Sequence, residues 1–156
     1  LLQTAGKWPV PEVANLVLQI SKGLSAAHEL GLIHRDVKPG NIFLVRTGLD
    51  VTVKLLDFGI AKWTLNGVPE QNLTDANVVL GSPYYMSPEQ LRCVPLDGRA
   101  DLWALGVVAY RLVTGDLPFT GRDGPEIASR ILTRDRKKVQ PPITRALEIE
   151  LAGAER

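Results

Sequence analysis

The sequence has little of what marks a disulfide-stabilised, membrane-spanning or nucleic-acid-binding protein. Its one cysteine, Cys93, cannot form an internal disulfide, which is typical of a reducing compartment. Its longest apolar run, Leu102 to Tyr110, has about half of the roughly 18 residues that a membrane span needs, so it predicts a buried helix. Its 18 basic and 17 acidic residues leave a net charge of +1. That balance predicts no nucleic-acid partner and no attraction to an anionic membrane.

The sequence also lacks an initiating methionine and a signal-peptide pattern. It begins with Leu1, and its one methionine is Met86. A chain of 156 residues with 45% apolar residues predicts one compact domain. We expect this domain to be a piece cut from a longer protein.

The spacing of apolar residues predicts a mainly α domain with one small β-hairpin. Residues 11–30 carry apolar side chains at steps of three and four, the stripe of an amphipathic helix. Residues 99–114 are apolar on nearly every side, which predicts a helix in the middle of the core. A shorter helix is expected at 125–132. Two runs that contain Val and Ile, 42–45 and 51–56, flank a turn-like stretch and predict an antiparallel hairpin.

The two ends of this hairpin bring together residues that suit a metal ion. In an antiparallel hairpin the residue before the first strand faces the residue after the second, so we expect Asn41 and Asp57 to lie side by side. An amide oxygen and a carboxylate suit Mg²⁺, which binds through one or two protein groups plus water and phosphate oxygens. Taken alone the signal is weak, because Asn and Asp are also ordinary residues at strand ends.

Two charged residues in the preceding loop strengthen this interpretation. The carboxylate of Asp36, if it lies near a metal–phosphate site, can accept a proton from an incoming hydroxyl group. A lysine two residues later, Lys38, can neutralise charge on a phosphoryl group during its transfer. The alternative for Asp36 is a carboxylate that only caps the loop. Base, cation and metal ligands nevertheless fall within one loop and one hairpin end.

Three motifs in family-like order make the sequence resemble a protein kinase. Residues 34–41, His-Arg-Asp-Val-Lys-Pro-Gly-Asn, resemble the catalytic loop of that family. Residues 57–59, Asp-Phe-Gly, resemble its magnesium-binding triplet, and residues 87–89, Ser-Pro-Glu, the triplet that closes the activation segment. The lysine two residues after the aspartate is the serine/threonine pattern. The sequence around the motifs is most similar to eukaryotic-like serine/threonine kinases of bacteria, and the resemblance covers about residues 1–132.

The resemblance implies a protein-kinase-like fold of which only the large C-terminal lobe is present. Residues 1–156 would be a partial catalytic domain, with the catalytic loop at 34–41, the activation segment at 57–89 and the central buried helix at 99–114. A kinase also needs a glycine-rich loop, a strand lysine paired with a helix glutamate, and a hinge for adenine, and none of these is visible. We therefore expect the N-terminal lobe to be absent and the fragment alone to be inactive.

The resemblance also implies a role for each candidate site residue. Asp36 and Lys38 would be catalytic: Asp36 would orient and deprotonate the substrate hydroxyl, and Lys38 would contact the γ-phosphate of ATP. Asn41 and Asp57 would be the metal ligands that hold Mg²⁺. Lys38, Asn41 and Asp57 would together bind the cofactors, ATP and Mg²⁺.

Further residues would support this site. His34 and Phe58 resemble members of the internal hydrophobic stack that aligns the active state, and for His34 packing is favoured over proton transfer. Ile42 and Leu44 would lie under the adenine, although they are also ordinary strand residues. Asp101 would bond the backbone of the catalytic loop, because an acid in so apolar a helix needs a partner.

The residue before the candidate base suggests control by phosphorylation. Arg35 could pair with a phosphate group on the activation segment and order it. Candidate acceptors are Thr64, Thr74 and, with less support, Ser82, whose hydroxyl in this family usually bonds to the catalytic loop. Ordinary loop polarity explains Thr64 and Thr74 equally well.

The expected function is that of an enzyme that transfers the γ-phosphoryl group of ATP to serine or threonine hydroxyls of protein substrates. The alternative is a truncated kinase or pseudokinase that acts as a non-catalytic binding or scaffold module. The intact set of candidate site residues favours the enzyme, whereas the missing upstream lysine favours the module for the chain as it stands. A homodimer in which one copy phosphorylates the other is a candidate assembly. The expected location is the cytoplasm, or the cytoplasmic part of a membrane-anchored kinase.

Overall fold

A computed structural model describes residues 7–48, 50–58 and 83–133. In chain order its elements are helix α1 (Val10–Glu29), a 3-10 turn (Pro39–Asn41), strands β1 (Ile42–Thr47) and β2 (Asp50–Leu55), a second 3-10 turn (Pro83–Tyr85), and helices α2 (Pro88–Leu91), α3 (Arg99–Thr114) and α4 (Gly124–Thr133). The strands form one antiparallel two-stranded sheet. The predicted fold class, mainly α with a small hairpin, is therefore confirmed.

Helix α1 follows the predicted apolar stripe and delivers the chain to the loop at 34–41. Its buried face consists of Val13, Leu16, Ile20, Leu24 and Ala27. Just past its end Gly31 has a φ of 74°, the left-handed position that glycine tolerates best. The Gly31 N–H donates to the His28 carbonyl and the Leu32 N–H to the Ala27 carbonyl, both at 2.9 Å. This pair of bonds is a Schellman motif, which satisfies the last carbonyls of the helix and turns the chain.

The hairpin is regular and tightly turned. Its register places Ile42 opposite Leu55 and Thr47 opposite Asp50. Gly48, with a φ of 65°, occupies a left-handed turn position between the strands. The predicted runs at 42–45 and 51–56 therefore locate the hairpin but misplace the ends of its strands.

The open end of the hairpin differs from the prediction by one residue. Strand β2 ends at Leu55, and the Leu56 N–H donates to the Asn41 carbonyl at 2.8 Å. Asn41 therefore faces Leu56, and the prediction that it faces Asp57 is wrong by one position. The apolar character of Leu56 extended the predicted strand, although 39% of this residue is exposed.

Helix α3 is the central element of the core. It begins and ends at the predicted residues, and Gly115 closes it with a φ of 80°. Its buried residues are Ala100, Asp101, Ala104, Leu105, Val107, Val108, Tyr110, Leu112 and Thr114. It packs against α1, and the Trp8 N–H just before α1 donates to the Leu112 carbonyl at 2.8 Å.

Helix α4 forms a smaller layer on the other side of the second 3-10 turn. It runs one residue beyond the predicted 125–132 at each end. Its buried residues, Ile127 and Ile131, lie where α4 packs against α2 and the turn Pro83–Tyr85. Helix α2 and the two 3-10 turns were not predicted, because elements of three or four residues carry too little periodicity to show in a sequence.

Candidate active site

The loop at 34–41 is attached to the central helix by one buried carboxylate. Asp101, in the first turn of α3, is only 1% exposed. Its Oδ1 accepts the backbone N–H of Arg35 at 2.8 Å, and its Oδ2 accepts that of His34 at 2.9 Å. The same Oδ2 accepts a third bond from Nε2 of His28, at 2.7 Å. The prediction that Asp101 bonds the backbone of this loop is confirmed.

Asp36, Lys38 and Asn41 form one cluster within the loop. The Lys38 ammonium group donates to Asp36 Oδ2 at 2.8 Å. The Asn41 side-chain amide donates to the same oxygen at 3.0 Å and to the Asp36 carbonyl at 2.8 Å. The side chains of Lys38 and Asp36 are 28% and 20% exposed, so a substrate can reach the pair although water screens it only in part. Three of the four predicted site residues therefore lie in direct contact.

The position of Asn41 determines which of its side-chain atoms is available to a ligand. Asn41 is 7% exposed and lies in a 3-10 turn that its own N–H closes on the Lys38 carbonyl at 2.9 Å. Because both partners of its side-chain nitrogen are acceptors on Asp36, the amide must direct its NH₂ group toward that residue. The amide oxygen, Oδ1, is thereby left as an acceptor or metal ligand on the other branch.

Asp57 follows the hairpin residue that bonds to Asn41, and among the described residues no hydrogen bond joins it to this cluster. It is exposed, has a φ of 52°, and follows Leu56, whose N–H is bonded to the Asn41 carbonyl. Within the described residues no group of three or more His, Cys, Asp or Glu side chains could hold a metal ion. One carboxylate and one amide oxygen still fit Mg²⁺, which takes its remaining ligands from water and phosphate.

His34 is a packing residue with a neutral ring. It is fully buried, and its ring lies against that of Phe58 with centroids 4.5 Å apart, as the resemblance implied. Its Nε2 donates to the Leu56 carbonyl at 3.0 Å, and its Nδ1 accepts the Asp36 N–H at 3.4 Å. One donor and one acceptor are what a neutral imidazole offers. Burial is the main cause that lowers the pKa of His34, against the opposing charge of Asp101.

Arg35 combines an unusual backbone with an unsatisfied side-chain nitrogen. Its φ is 65°, in the left-handed region. Its Nε is buried and has no hydrogen-bond partner among the residues that the structure describes. Its carbonyl accepts Nε2 of Gln90 at 2.9 Å, and Gln90 is itself held by a capping box with Ser87 at the start of α2. Helix α2 is thereby connected to the candidate site.

One face of the hairpin packs on the core and the other is exposed. Ile42 is 5% exposed and belongs to the core, and Leu44 packs against it. Phe43 is 58% exposed, and successive strand residues point to opposite faces. Ile42 and Leu44 both face the helical core, and their position under an adenine stays a prediction. The exposed apolar ring on the opposite face is that of Phe43.

Two contacts of the loop were not predicted from the sequence, and several predicted residues lie outside the described part of the chain. His28 follows Leu24 by four residues, so a polar residue on the buried stripe was the available signal. Gln90 gave no signal, because its bond to the loop crosses 55 residues. Candidate phosphorylation sites Thr64, Thr74 and Ser82 lie outside the described residues, as does most of the predicted activation segment.

The Asp36 carboxylate is placed to accept a proton from a hydroxyl group. The Asp36 carboxylate is oriented by an ammonium and an amide, and the Asn41 amide oxygen and the Asp57 carboxylate belong to the adjoining end of the hairpin. A carboxylate in such a position can take a proton from a hydroxyl group, while the lysine offsets negative charge. The chemistry that fits is transfer of a phosphoryl group to a hydroxyl.

Comparison with known proteins gives a consistent result. The family model described as "Protein kinase domain" matches residues 1–150. The chain is 45% identical over 131 residues to serine/threonine-protein kinase Pkn1 of Myxococcus xanthus, and 46% identical over 142 residues to pkn3 of the same organism. It is 41% identical over 135 residues to PknL of Mycobacterium tuberculosis.

These alignments cover most of the chain but a minor part of each relative. They include 83%, 89% and 86% of this chain, and 18%, 25% and 32% of Pkn1, pkn3 and PknL respectively. The chain therefore spans a third or less of the length of these relatives. Among the helices that the structure describes, none has the length and apolar character needed to cross a membrane.

Proposed function

This chain belongs to the protein kinase family, and we propose that the protein containing it transfers the γ-phosphoryl group of ATP to serine or threonine hydroxyls of proteins. The observation that carries the proposal is the cluster in which Lys38 and Asn41 both donate to one carboxylate oxygen of Asp36. The serine/threonine class is supported by Lys38, two residues after the aspartate, and by the names of the relatives.

In the proposed reaction Asp36 is the base. Its carboxylate accepts the proton as the substrate hydroxyl oxygen forms a bond to the γ-phosphorus, and the bond from that phosphorus to the leaving oxygen of ADP breaks. Lys38 contacts the base at 2.8 Å, and its positive charge would offset negative charge that builds up on the transferring group. Since Asp36 Oδ2 already accepts two bonds, these neighbours fix the direction from which a hydroxyl can approach.

Asn41 and Asp57 are the proposed ligands of Mg²⁺. Members of this family use ATP with a divalent metal ion, which neutralises phosphate charge when bound. The amide orientation of Asn41, set by its two bonds to Asp36, leaves Oδ1 for the metal. Asp57 adds an exposed carboxylate one residue beyond the Asn41–Leu56 bond.

Regulation by phosphorylation is proposed through Arg35. Its buried Nε lacks a hydrogen-bond partner in the described part of the chain, and a phosphate group offers the acceptor that a guanidinium prefers. Thr64, Thr74 and Ser82 are the candidate acceptors on the activation segment, 57–89. A homodimer would allow one copy to phosphorylate the other. The cytoplasm, or the cytoplasmic part of a membrane-anchored protein, is the proposed location because ATP is available there.

The test is phosphoryl transfer by the full-length protein from radiolabelled ATP, with Mg²⁺, to a Ser/Thr peptide library. Asp36→Asn should lower the rate by about 10²- to 10⁴-fold, the usual contribution of a general base. Asp57→Asn should raise the Mg²⁺ concentration needed for half-maximal activity, because a metal ligand loses its charge. Asp97→Asn is the matched control, since Asp97 is exposed and pairs with Arg99. A full-length protein that binds ATP but transfers no label would instead be a binding module.

A further inference from the structure

We propose that His28, on helix α1, is a positioning residue for the reaction proposed above, and that Gly98 leaves the room that the His28 ring occupies. The inference rests on the proposed kinase activity. The buried Asp101 carboxylate accepts three bonds, and the third comes from His28 on α1 and not from the loop or from α3.

His28 completes the coordination of the carboxylate that holds the loop. Asp101 Oδ2 is shared by the His28 Nε2 at 2.7 Å and the His34 backbone N–H at 2.9 Å. The His28 side chain is 24% exposed, whereas that of Asp101 is 1% exposed. The histidine therefore closes the side of the carboxylate that would otherwise open toward solvent. Without His28, water can enter and the carboxylate gains freedom to rotate, because one of its three directional bonds is lost.

This contact is connected to the base through a short path. Asp101 Oδ1 and Oδ2 bind the N–H groups of Arg35 and His34, the two residues that precede Asp36. The Asp36 N–H in turn donates to His34 Nδ1 at 3.4 Å. A rotation of the Asp101 carboxylate therefore shifts the backbone that carries the base. Displacements on the order of 1 Å at a reacting group cost up to about a hundredfold in rate.

Gly98 lies directly against the His28 ring. A Cβ atom added at Gly98 would lie 2.6 Å from His28 Nδ1 and 2.7 Å from its Cε1. The backbone itself does not need glycine, because Gly98 has φ −58° and ψ −15°, which any L-residue adopts. Space for the histidine ring therefore favours glycine here, as does its place at the N-cap of α3, where glycine is preferred to alanine. Gly98→Ala should act by pushing His28 away from Asp101.

The first experiment measures this contact without reference to catalysis. Urea unfolding is followed for the full-length protein, for His28→Ala, for Gly98→Ala and for the double variant. Gly98→Ala should lower the midpoint of unfolding in the wild-type background. In the His28→Ala background the shift should be much smaller, because the clash is gone and only the weaker capping by alanine at this N-cap position remains. Equal shifts in both backgrounds would overturn the steric assignment of Gly98.

Gly106 provides the matched control for this cycle. It also lies on α3, but a Cβ added there would have nothing within 4 Å. Gly106→Ala should therefore raise the midpoint by the same amount with and without His28, since only the helix propensity changes. A dependence of Gly106→Ala on His28 would show that the coupling is not specific to position 98.

The second experiment separates positioning from stability. Steady-state rates are measured at a temperature at which every variant is folded. His28→Ala should lower kcat by about tenfold to a hundredfold and leave KM for ATP and peptide nearly unchanged, because the base is displaced while the binding groups stay. His28→Gln should restore most of kcat, since its side-chain amide can donate to Asp101 Oδ2. Gly98→Ala should reproduce the loss and should add nothing in the His28→Ala background.

The outcomes distinguish this inference from the proposed function. A folded His28→Ala protein with wild-type kcat would make His28 a purely structural residue and overturn the inference, while the proposed function stands. A wild-type protein that transfers no phosphate overturns the proposed function and the catalytic part of the inference together. In that case the unfolding cycle still decides whether Gly98 makes space for His28.

Discussion

Asp101 and His34 are two buried polar side chains whose hydrogen-bonding groups are satisfied in different ways. Asp101 is an acceptor only, and it takes three N–H bonds, two of them from backbone. His34 is neutral, donating to one carbonyl and accepting one N–H. A buried charge or polar group is costly unless its bonds are made, so both residues link stability to the shape of the loop.

Removal of the Asp101 carboxylate should destabilise the protein strongly. Asp101→Ala leaves the backbone N–H groups of His34 and Arg35 buried without their acceptor, and the loss of a charged, hydrogen-bonded partner typically costs about 3 kcal/mol or more. The free energy of unfolding from urea titration measures this effect. Asp97→Ala, which removes an exposed acid that accepts the Arg99 N–H at the start of α3, should cost only about 1 kcal/mol. Equal stability of Asp101→Ala and wild type would contradict the anchoring role.

The buried imidazole of His34 should make stability depend on pH. Burial lowers the folded-state pKa of His34 below its ordinary value of 6.5. In the unfolded chain His34 therefore takes up a proton near pH 6.5, whereas in the folded protein it stays neutral at that pH. The contribution of His34 to the free energy of unfolding is therefore fully present above pH 6.5. It is lost as the pH falls from 6.5 to the lower pKa of the folded state.

The measurement is the free energy of unfolding between about pH 8 and about pH 5, the range of histidine titration. His34→Phe should remove the part of the slope that arises in this window, because the ring keeps its size but no longer titrates. The overall stability of His34→Phe also falls through loss of the bond to the Leu56 carbonyl, but that loss does not depend on pH. An unchanged slope would exclude His34 as its source.

At the scale of elements, the sequence predicted what depends on local pattern and missed what depends on distant contacts. Helix α3 was predicted to the residue, because its apolar run is closed by Gly115. Helix α2 has four residues and owes its form to the Ser87–Gln90 capping box and a bond to Arg35. Asp36, Lys38 and Asn41 could be placed together because they share one loop. His28 could not be placed with Asp101, since 73 residues separate them.

Strand β2 is stabilised along its outer edge by a side chain of helix α1. Gln19 Nε2 donates to the Val51 carbonyl at 3.0 Å, and its Oε1 accepts the Val53 N–H at 3.0 Å. The amide thus takes the place of a neighbouring strand, and it satisfies one donor and one acceptor that an edge strand leaves open.

Replacement of this glutamine should loosen β2 at a definable point. Gln19→Ala should speed hydrogen exchange at the Val53 N–H by about fivefold, equivalent to the roughly 1 kcal/mol of one hydrogen bond. Exchange by NMR measures the effect residue by residue. Asn15→Ala is the control, because Asn15 lies one turn earlier on α1 and, in the described part of the chain, its side chain only accepts a 3.4 Å bond from the Gln19 amide. Similar exchange at Val53 in all three proteins would contradict the role of Gln19.

At the scale of the whole molecule, α1 is the element that joins the helical core to the hairpin. It packs against α3 on one side and β2 on the other. Ile20, at 1% exposure, belongs to the same buried cluster as Ile42 of β1 and Val108 of α3. A defect at Ile20 should therefore spread to both halves of the structure.

Truncation of Ile20 tests whether these halves form one cooperative unit. Ile20→Ala should lower the free energy of unfolding by about 3 kcal/mol, through lost apolar burial and the cavity that remains. Hydrogen exchange should then rise together in α3 and in the hairpin. Leu18→Ala, which removes an apolar residue that is 54% exposed on the same helix, should have little effect. A rise in exchange confined to one half would show two separate units.

Asp101 binds the loop through the backbone N–H groups of residues 34 and 35, so the attachment of the loop does not depend on the side chains at these two positions. Every residue other than proline supplies the same N–H group, so the docking of the loop does not specify which side chain position 35 carries. Its left-handed φ of 65° even favours glycine or asparagine over arginine. Exchange of Arg35 for an uncharged residue should therefore remove the proposed phosphate contact while the loop stays bound to Asp101.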